Sequence, residues 1–131
     1  MIEHEARCSC GQLRAVARAE PFRVSLCHCL ACQRRTGSAF GAQARFQASE
    51  VEITGEASEW SRTGDEGSVI TQRFCPRCGA TVWYDLDVDP GIVAIPVGAF
   101  ADPDFPAPRV SVYEERRHRW VRLPDTIEHR A

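Results

Sequence analysis

The stretch Cys75-Pro76-Arg77-Cys78-Gly79 contains two cysteines with two residues between them, and a glycine follows directly. Two intervening residues let the backbone curl so that both sulfurs face one metal ion, at about 2.3 Å in the case of zinc. Glycine just past the turn can adopt the positive φ that brings backbone N–H groups toward the sulfurs. The stretch therefore predicts a zinc knuckle. A redox site shares this spacing, but no βαβ pattern surrounds the pair to support it.

A second pair of cysteines lies near the start of the chain, in Cys8-Ser9-Cys10-Gly11, and is again followed by glycine. Together with Cys75 and Cys78 it supplies four soft thiolate ligands. A zinc ion with four protein ligands has no exchangeable position and is structural. We therefore predict a structural zinc site that ties the first part of the chain to the knuckle in its second half.

The other three cysteines lie together in Cys27-His28-Cys29-Leu30-Ala31-Cys32. No further cysteine is left in the sequence, so this segment predicts zinc with three thiolate ligands and one exchangeable position, which is the arrangement of catalytic sites. His28 is an alternative fourth ligand, although the middle side chain of an extended Cys-X-Cys segment points away from its neighbours. His118 is a second alternative, and His4 and His129 are weaker ones.

The whole chain has 131 residues, seven cysteines and a formal net charge of −2, and all 16 of its basic residues are arginines. This size favours one domain over residues 1–131. No run approaches the roughly 18 apolar residues of a membrane-spanning helix, and the acidic start of the chain does not resemble a signal peptide. We therefore expect a cytoplasmic protein without membrane contact, in which reducing thiol pools disfavour disulfides.

Nucleic acid is not an expected partner. A net acidic chain without a basic stripe and interleaved aromatic residues does not match the electrostatics of a phosphate-backbone binder. Only the segment Arg116-Arg117-His118-Arg119-Trp120 resembles such a surface. A charged turn is the usual explanation for a single segment of this kind.

Strand signals dominate the rest of the sequence. Short alternating or apolar runs bounded by turn residues predict strands around residues 13–18, 40–46, 51–53, 68–74, 81–84, 92–97 and 110–112. The best helix signal covers residues 30–36, and Gly37 is expected to end it. Many short strands with few short helices predict a mostly β fold.

The order of the cysteine motifs resembles the glutathione-dependent formaldehyde-activating enzyme family, also called the GFA or CENP-V domain family. The matching segments are Cys8–Gly11, Cys27–Ser38, Phe74–Gly79 and the C-terminal Val112–Asp125. The resemblance covers nearly the whole chain, and all seven metal positions of the family pattern are filled by cysteine.

This resemblance implies an antiparallel β fold with two zinc ions, of the type shared with Mss4-like proteins. It assigns the structural zinc to Cys8, Cys10, Cys75 and Cys78, and the catalytic zinc to Cys27, Cys29 and Cys32. The implied activity is that of a carbon–sulfur lyase acting on S-(hydroxymethyl)glutathione, which is the adduct of a small thiol and an aldehyde.

Charge adds an expectation about the substrate. Three thiolates leave a zinc site with a formal charge of about −1, which favours a sulfur substrate over the activation of water. Glutathione also has two carboxylates, and Arg34 and Arg35 follow the catalytic cysteines, so we predict that one of them captures a carboxylate. Alternatively, both arginines offset thiolate charge or face solvent.

Two other functions stay open from the sequence. The chain is alternatively a non-catalytic zinc-binding module for another macromolecule, or it performs zinc chemistry on a different thiol or small electrophile.

Overall fold

A computed structural model describes residues 2–130 and shows a mostly β protein, as the sequence predicts. The outermost residues of the predicted domain, Met1 and Ala131, lie outside the described residues. The strands are β1 (His4–Arg7), β2 (Arg14–Ala17), β3 (Arg23–Cys27), β4 (Gly41–Gln47), β5 (Val51–Thr54), β6 (Ser58–Thr63), β7 (Val69–Phe74), β8 (Thr81–Leu86), β9 (Ile92–Pro96), β10 (Val110–Val112) and β11 (Glu128–Arg130). The helix α1 covers Leu30–Thr36, and short 3-10 helices cover Ala48–Glu50, Val97–Phe100 and Glu114–Arg116.

The strands form two sheets. The smaller has the order β1-β2-β5, and the larger has the order β11-β10-β3-β4-β9-β8-β7-β6. All neighbouring strands are antiparallel except β10, which runs parallel to both β3 and β11. The predicted antiparallel β fold of the GFA and Mss4-like type is therefore confirmed, with a parallel edge that the sequence did not indicate.

The hydrophobic core lies between the two sheets. Leu13, Ala15 and Ala17 alternate along the β2 region and are fully buried, as their spacing predicts. They pack in one cluster with apolar residues of the larger sheet, the biggest of which are Phe46 and Ile95. Burial of these side chains stabilises the fold by about 25 cal/mol per Å² of apolar surface removed from water.

The opposite face of the larger sheet is polar at its centre. The register of β3 and β4 pairs Cys27 with Gly41, Ser25 with Gln43, and Arg23 with Arg45. Side chains alternate along a strand, so these six residues share the face that points away from the core. Ser25 and Gln43 are nevertheless buried. The sequence predicts a half-buried β4, but both of its faces are covered.

The helix α1 has the predicted bounds, and its two ends have local causes. Cys29 is its N-cap residue, and the Cys29 sulfur accepts a hydrogen bond from the Cys32 N–H at 3.3 Å. Gly37 ends the helix with φ of +66° and donates its N–H to the Gln33 carbonyl. A left-handed residue at this position favours glycine. No helix among residues 2–130 is long and apolar enough to cross a membrane.

Candidate metal centres

The first cysteine cluster combines the two pairs that the sequence places far apart. Its members are Cys8, Cys10, Cys75 and Cys78, and their four sulfurs all lie within 4.8 Å of one another. Cys8 and Cys75 are buried, whereas Cys10 and Cys78 are exposed. The cluster joins the turn between β1 and β2 to the turn between β7 and β8.

The two turns of this cluster have the same backbone form. Gly11 and Gly79 both have positive φ, of +84° and +82°, and each donates its N–H to the carbonyl of the first cysteine of its turn. The positive φ predicted for Gly79 is therefore confirmed. Further N–H groups point at the sulfurs: Leu13 donates to Cys8 and Arg77 donates to Cys75, both at 3.3 Å. Such hydrogen bonds stabilise thiolate over thiol.

The spacing of the sulfurs fits a zinc ion. The Cys10 sulfur lies 3.6 Å from the Cys8 sulfur and 3.6 Å from the Cys75 sulfur. Four sulfurs arranged tetrahedrally at about 2.3 Å from zinc lie about 3.8 Å apart. A disulfide instead needs about 2.05 Å between its sulfurs, and all seven cysteines are free. The donor set and its dimensions therefore suit a four-coordinate metal.

The second cluster consists of Cys27, Cys29 and Cys32, whose sulfurs also lie within 4.8 Å of one another. Cys27 ends β3, Cys29 caps α1, and Cys32 lies in the first turn of the helix. No other histidine, cysteine or carboxylate of residues 2–130 completes this group as a fourth ligand. Both cysteine clusters can thus hold a metal ion, one with four sulfurs and the other with three.

The histidines considered from the sequence have other contacts. His28 is fully buried, and its Nε2 lies 3.0 Å from the Ser111 hydroxyl on the core side of β3. Burial lowers its pKa, so the imidazole is neutral. His118 lies 2.8 Å from the Gln33 side-chain oxygen. Neither histidine belongs to the three-sulfur cluster.

The sulfurs of the second cluster shift one another's pKa values. The hydrogen bonds from the thiols of Cys27 and Cys32 lower the pKa of Cys29 to about 2, and the charge of Arg62 contributes. The same interaction with Cys29 raises the pKa of Cys27. The thiolate form of Cys29, the N-cap residue of the helix, is therefore stabilised. Metal binding requires cysteine in this form.

The two arginines predicted from the sequence lie on different sides of α1. The Arg35 guanidinium lies 5.1 Å from the centre of the Tyr84 ring, and its charge acts on Cys32. One of its nitrogens, Nη2, is buried without a hydrogen-bond partner. Arg34 is exposed and lines a separate groove with His118 and Trp120. Arg35 thus lies beside the three-sulfur cluster, and Arg34 points elsewhere.

Other residues near the cluster carry no signal in the sequence. Tyr113 directly follows β10, adopts an unusual φ of +56°, and donates its hydroxyl to Glu66 at 3.3 Å. Burial and the Glu66 carboxylate raise the Tyr113 pKa. Tyr84 is buried, and its pKa is raised by burial and then by the negative charge of Cys32. Only the pairing of distant strands brings these side chains to the cysteines, so sequence spacing gave no means of finding them.

The mostly β fold and the two cysteine clusters, one with four sulfurs and one with three, place this chain in the class of candidate metalloproteins. A model of the glutathione-dependent formaldehyde-activating enzyme (GFA) family matches residues 3–116. The chain therefore belongs to this family, as its motifs predict.

Comparison with solved structures shows a similar fold. A crystal structure of a Rhodobacter sphaeroides protein matches with a TM-score of 0.56 and 19% sequence identity, over 72% of this chain and 85% of that one. At this identity the likeness concerns the fold alone. No curated protein matches the sequence.

Metal content is the first expected result. Purified protein should contain two zinc ions per chain, since its seven cysteines divide into two groups with the dimensions of metal sites. Elemental analysis together with alkylation of free thiols provides the measurement. One zinc ion per chain with Cys27, Cys29 and Cys32 freely alkylated would contradict the two-site assignment.

Proposed function

We propose that this chain is a zinc-dependent enzyme of the carbon–sulfur lyase type, acting on the adduct of a small thiol and an aldehyde such as S-(hydroxymethyl)glutathione. The observation that carries the proposal is the three-sulfur cluster, which lacks a fourth ligand among the described residues, whereas the other cluster has four. Membership of a family described as glutathione-dependent and formaldehyde-activating supports both the thiol and the aldehyde.

In this proposal the two clusters have different roles. Cys8, Cys10, Cys75 and Cys78 hold a structural zinc ion, and Cys27, Cys29 and Cys32 hold a catalytic one. Zinc bound by three thiolates supplies a weak Lewis acid with an exchangeable position, which keeps a substrate thiol ionised near neutral pH.

The reaction is an addition without any change of oxidation state. In the direction of synthesis, a bond forms between the thiol sulfur and the aldehyde carbon, and the proton of the thiol ends on the aldehyde oxygen. In the direction of cleavage, that carbon–sulfur bond breaks and the proton returns to sulfur. The protein must therefore hold a thiolate, position the aldehyde and exclude competing water.

The surrounding residues suit these tasks. Arg35 places positive charge beside sulfurs whose combined charge would otherwise repel an anionic substrate. Gln33 donates to the carbonyls of His28 and Arg116, so it fixes the cysteine-bearing loop against the segment after β10. We assign carboxylate capture to Arg35. Arg34 lies on the other side of α1, so its predicted role as a carboxylate ligand is not part of this assignment.

Two rival functions make different predictions. A non-catalytic zinc module would bind metal at both clusters without affinity for a small thiol. An enzyme acting on a different electrophile would bind the thiol without accelerating its reaction with formaldehyde. A cytoplasmic location and the lack of a nucleic-acid partner belong to the same proposal.

The test is exchange NMR of glutathione with formaldehyde, recorded without protein, with zinc-loaded protein and with protein stripped of metal. We expect the loaded protein to accelerate exchange and the stripped protein to lose this effect until zinc is restored. Calorimetric titration of glutathione accompanies the measurement. Binding without acceleration would favour a different electrophile, and loaded protein that binds no thiol would favour the non-catalytic module.

A further inference from the structure

We infer that Arg23 and Arg45 form a subsite on the sheet face that carries Cys27, and that this subsite binds one carboxylate of the thiol substrate. This inference rests on the proposed thiol function and adds the part of the substrate that lies away from sulfur. The sequence pointed to other arginines, and this pair becomes visible only through strand register.

The register of β3 and β4 places the two arginines opposite each other. Arg23 pairs with Arg45, and Cys27 pairs with Gly41 at the other end of the same two strands. Like charges directly opposite each other destabilise a sheet. Burial lowers the Arg23 pKa, and the nearby charges of Arg45 and Arg130 lower it further. An anion between the guanidinium groups would remove this repulsion.

Neither arginine has a carboxylate at ion-pair distance among the described residues. No ion pair among residues 2–130 includes Arg23 or Arg45. The Nε atoms of both arginines are buried without a hydrogen-bond partner. Gln43, which lies between Gly41 and Arg45 on β4, also has a buried side-chain oxygen without a partner. Buried polar groups are nearly always hydrogen-bonded. Three unpartnered side chains on one face therefore point to a polar ligand.

The distance along the strands indicates the size of that ligand. Cys27 and Arg23 are separated by four residues of β3, which corresponds to about 13 Å of backbone. An extended tripeptide spans about 10 Å, and the arginine side chains extend from the sheet to cover the rest. Arg45 and Tyr84 both pair with Ala94 in the sheet, so their side chains lie on the same face as Cys27. A single amino-acid thiol would be too short to reach both ends.

The end of β3 also has room for a ligand. A cavity of about 520 Å³ opens beside Arg23, and Arg109 and Arg130 contribute to its lining. Glu20 is the one acidic residue among its lining residues, and the Glu20 Oε1 lies 2.6 Å from the His4 Nε2. Glu128, the nearest acid to Arg23 on β11, forms an ion pair with Arg130. Arginines therefore outnumber acidic residues in the lining of this cavity.

The experiment is calorimetric titration of zinc-loaded protein with glutathione, S-methylglutathione and glutathione diethyl ester. S-methylglutathione retains both carboxylates but cannot form a thiolate, whereas the diester retains the thiol without free carboxylates. We expect Arg23→Gln and Arg45→Gln each to weaken glutathione and S-methylglutathione about tenfold or more, equivalent to about 1.4 kcal/mol. Diester affinity should not change, and Arg45→Lys should restore part of the loss.

The matched control is Arg18→Gln, which removes one positive charge at the end of β2 in the other sheet and should leave all three affinities unchanged. Thermal unfolding supplies a second readout. Because the two arginines are unpartnered, their Gln variants should be at least as stable as the wild type. A loss of affinity that comes with a lower Tm would indicate a structural role and overturn the subsite.

The arginine subsite and the proposed thiol chemistry are overturned by different results. Equal binding of S-methylglutathione by wild type and both variants would overturn the subsite while glutathione binding through sulfur persists. A second possible result is that S-methylglutathione binding depends on the two arginines, while glutathione binds no more tightly than S-methylglutathione. This result would support the subsite and contradict the proposed thiol chemistry. Absence of binding by all three compounds would overturn both.

Discussion

Cys78→Ser is expected to unfold the protein or to lower its free energy of unfolding by on the order of 10 kcal/mol, the contribution of structural zinc in small metal-dependent folds. That figure is comparable to the whole stability of a typical domain, about 5–15 kcal/mol. Cys78 is exposed, so its loss as a packing residue would cost little. The expected effect comes instead from the link between the turn after β1 and the turn after β7.

Cys29→Ser is the matched variant, because it removes one sulfur from the other cluster. Cys27, Cys29 and Cys32 all lie within one short segment, so a metal ion bound by them would close only a small loop. Serine can also replace the Cys29 sulfur as the N-cap acceptor of α1. We expect this variant to remain folded. Thermal and denaturant unfolding of both variants is the measurement, and equal destabilisation would mean that both metals are structural.

Cys32→Ser is expected to abolish the accelerated exchange of glutathione with formaldehyde, with a loss of about 100-fold or more. Substitution of groups that only support metal ligands already costs 10- to 100-fold in affinity or activity, and Cys32 is predicted to be a ligand itself. Glutathione affinity should fall in parallel, since the thiolate would lose the metal that stabilises it. Exchange NMR and calorimetry provide the two measurements.

Ala31→Ser is the control for this variant, because it introduces the same side chain one residue earlier in α1 and leaves all three sulfurs in place. It should retain zinc content, glutathione binding and exchange. Cys32→Ser protein that keeps full exchange activity while its zinc content falls to one ion per chain would refute a catalytic role of the three-sulfur cluster.

Much of the fold was predictable because its local signals agree with the tertiary structure. The helix at residues 30–36 was predicted with its end at Gly37, and the alternation around residues 13–18 identified the buried face of β2. Strands β1, β3, β6 and β11 were not predicted. Most residues of β1, β6 and β11 are polar or exposed, so these strands exist through hydrogen bonds to a neighbour and have little apolar pattern of their own.

The sequence by itself determined the two cysteine clusters and the family. Ligand spacing within Cys8–Gly11, Cys27–Cys32 and Cys75–Gly79 is local, and short spacing restricts the sulfurs to one side of a turn whatever the rest of the chain does. The division into four and three sulfurs followed from counting. Glycine at the end of each knuckle allowed a correct prediction of positive φ at Gly79.

Only the tertiary structure decided what surrounds the three-sulfur cluster. Arg34 and Arg35 are equivalent in the sequence, but consecutive residues of a helix are rotated by about 100°, so Arg35 points toward Tyr84 and Arg34 into another groove. Arg23 and Arg45 are 22 positions apart, and the antiparallel register of β3 and β4 makes them direct neighbours. Register depends on pairing over the whole sheet, because a shift of one residue would move every side chain of a strand to the other face.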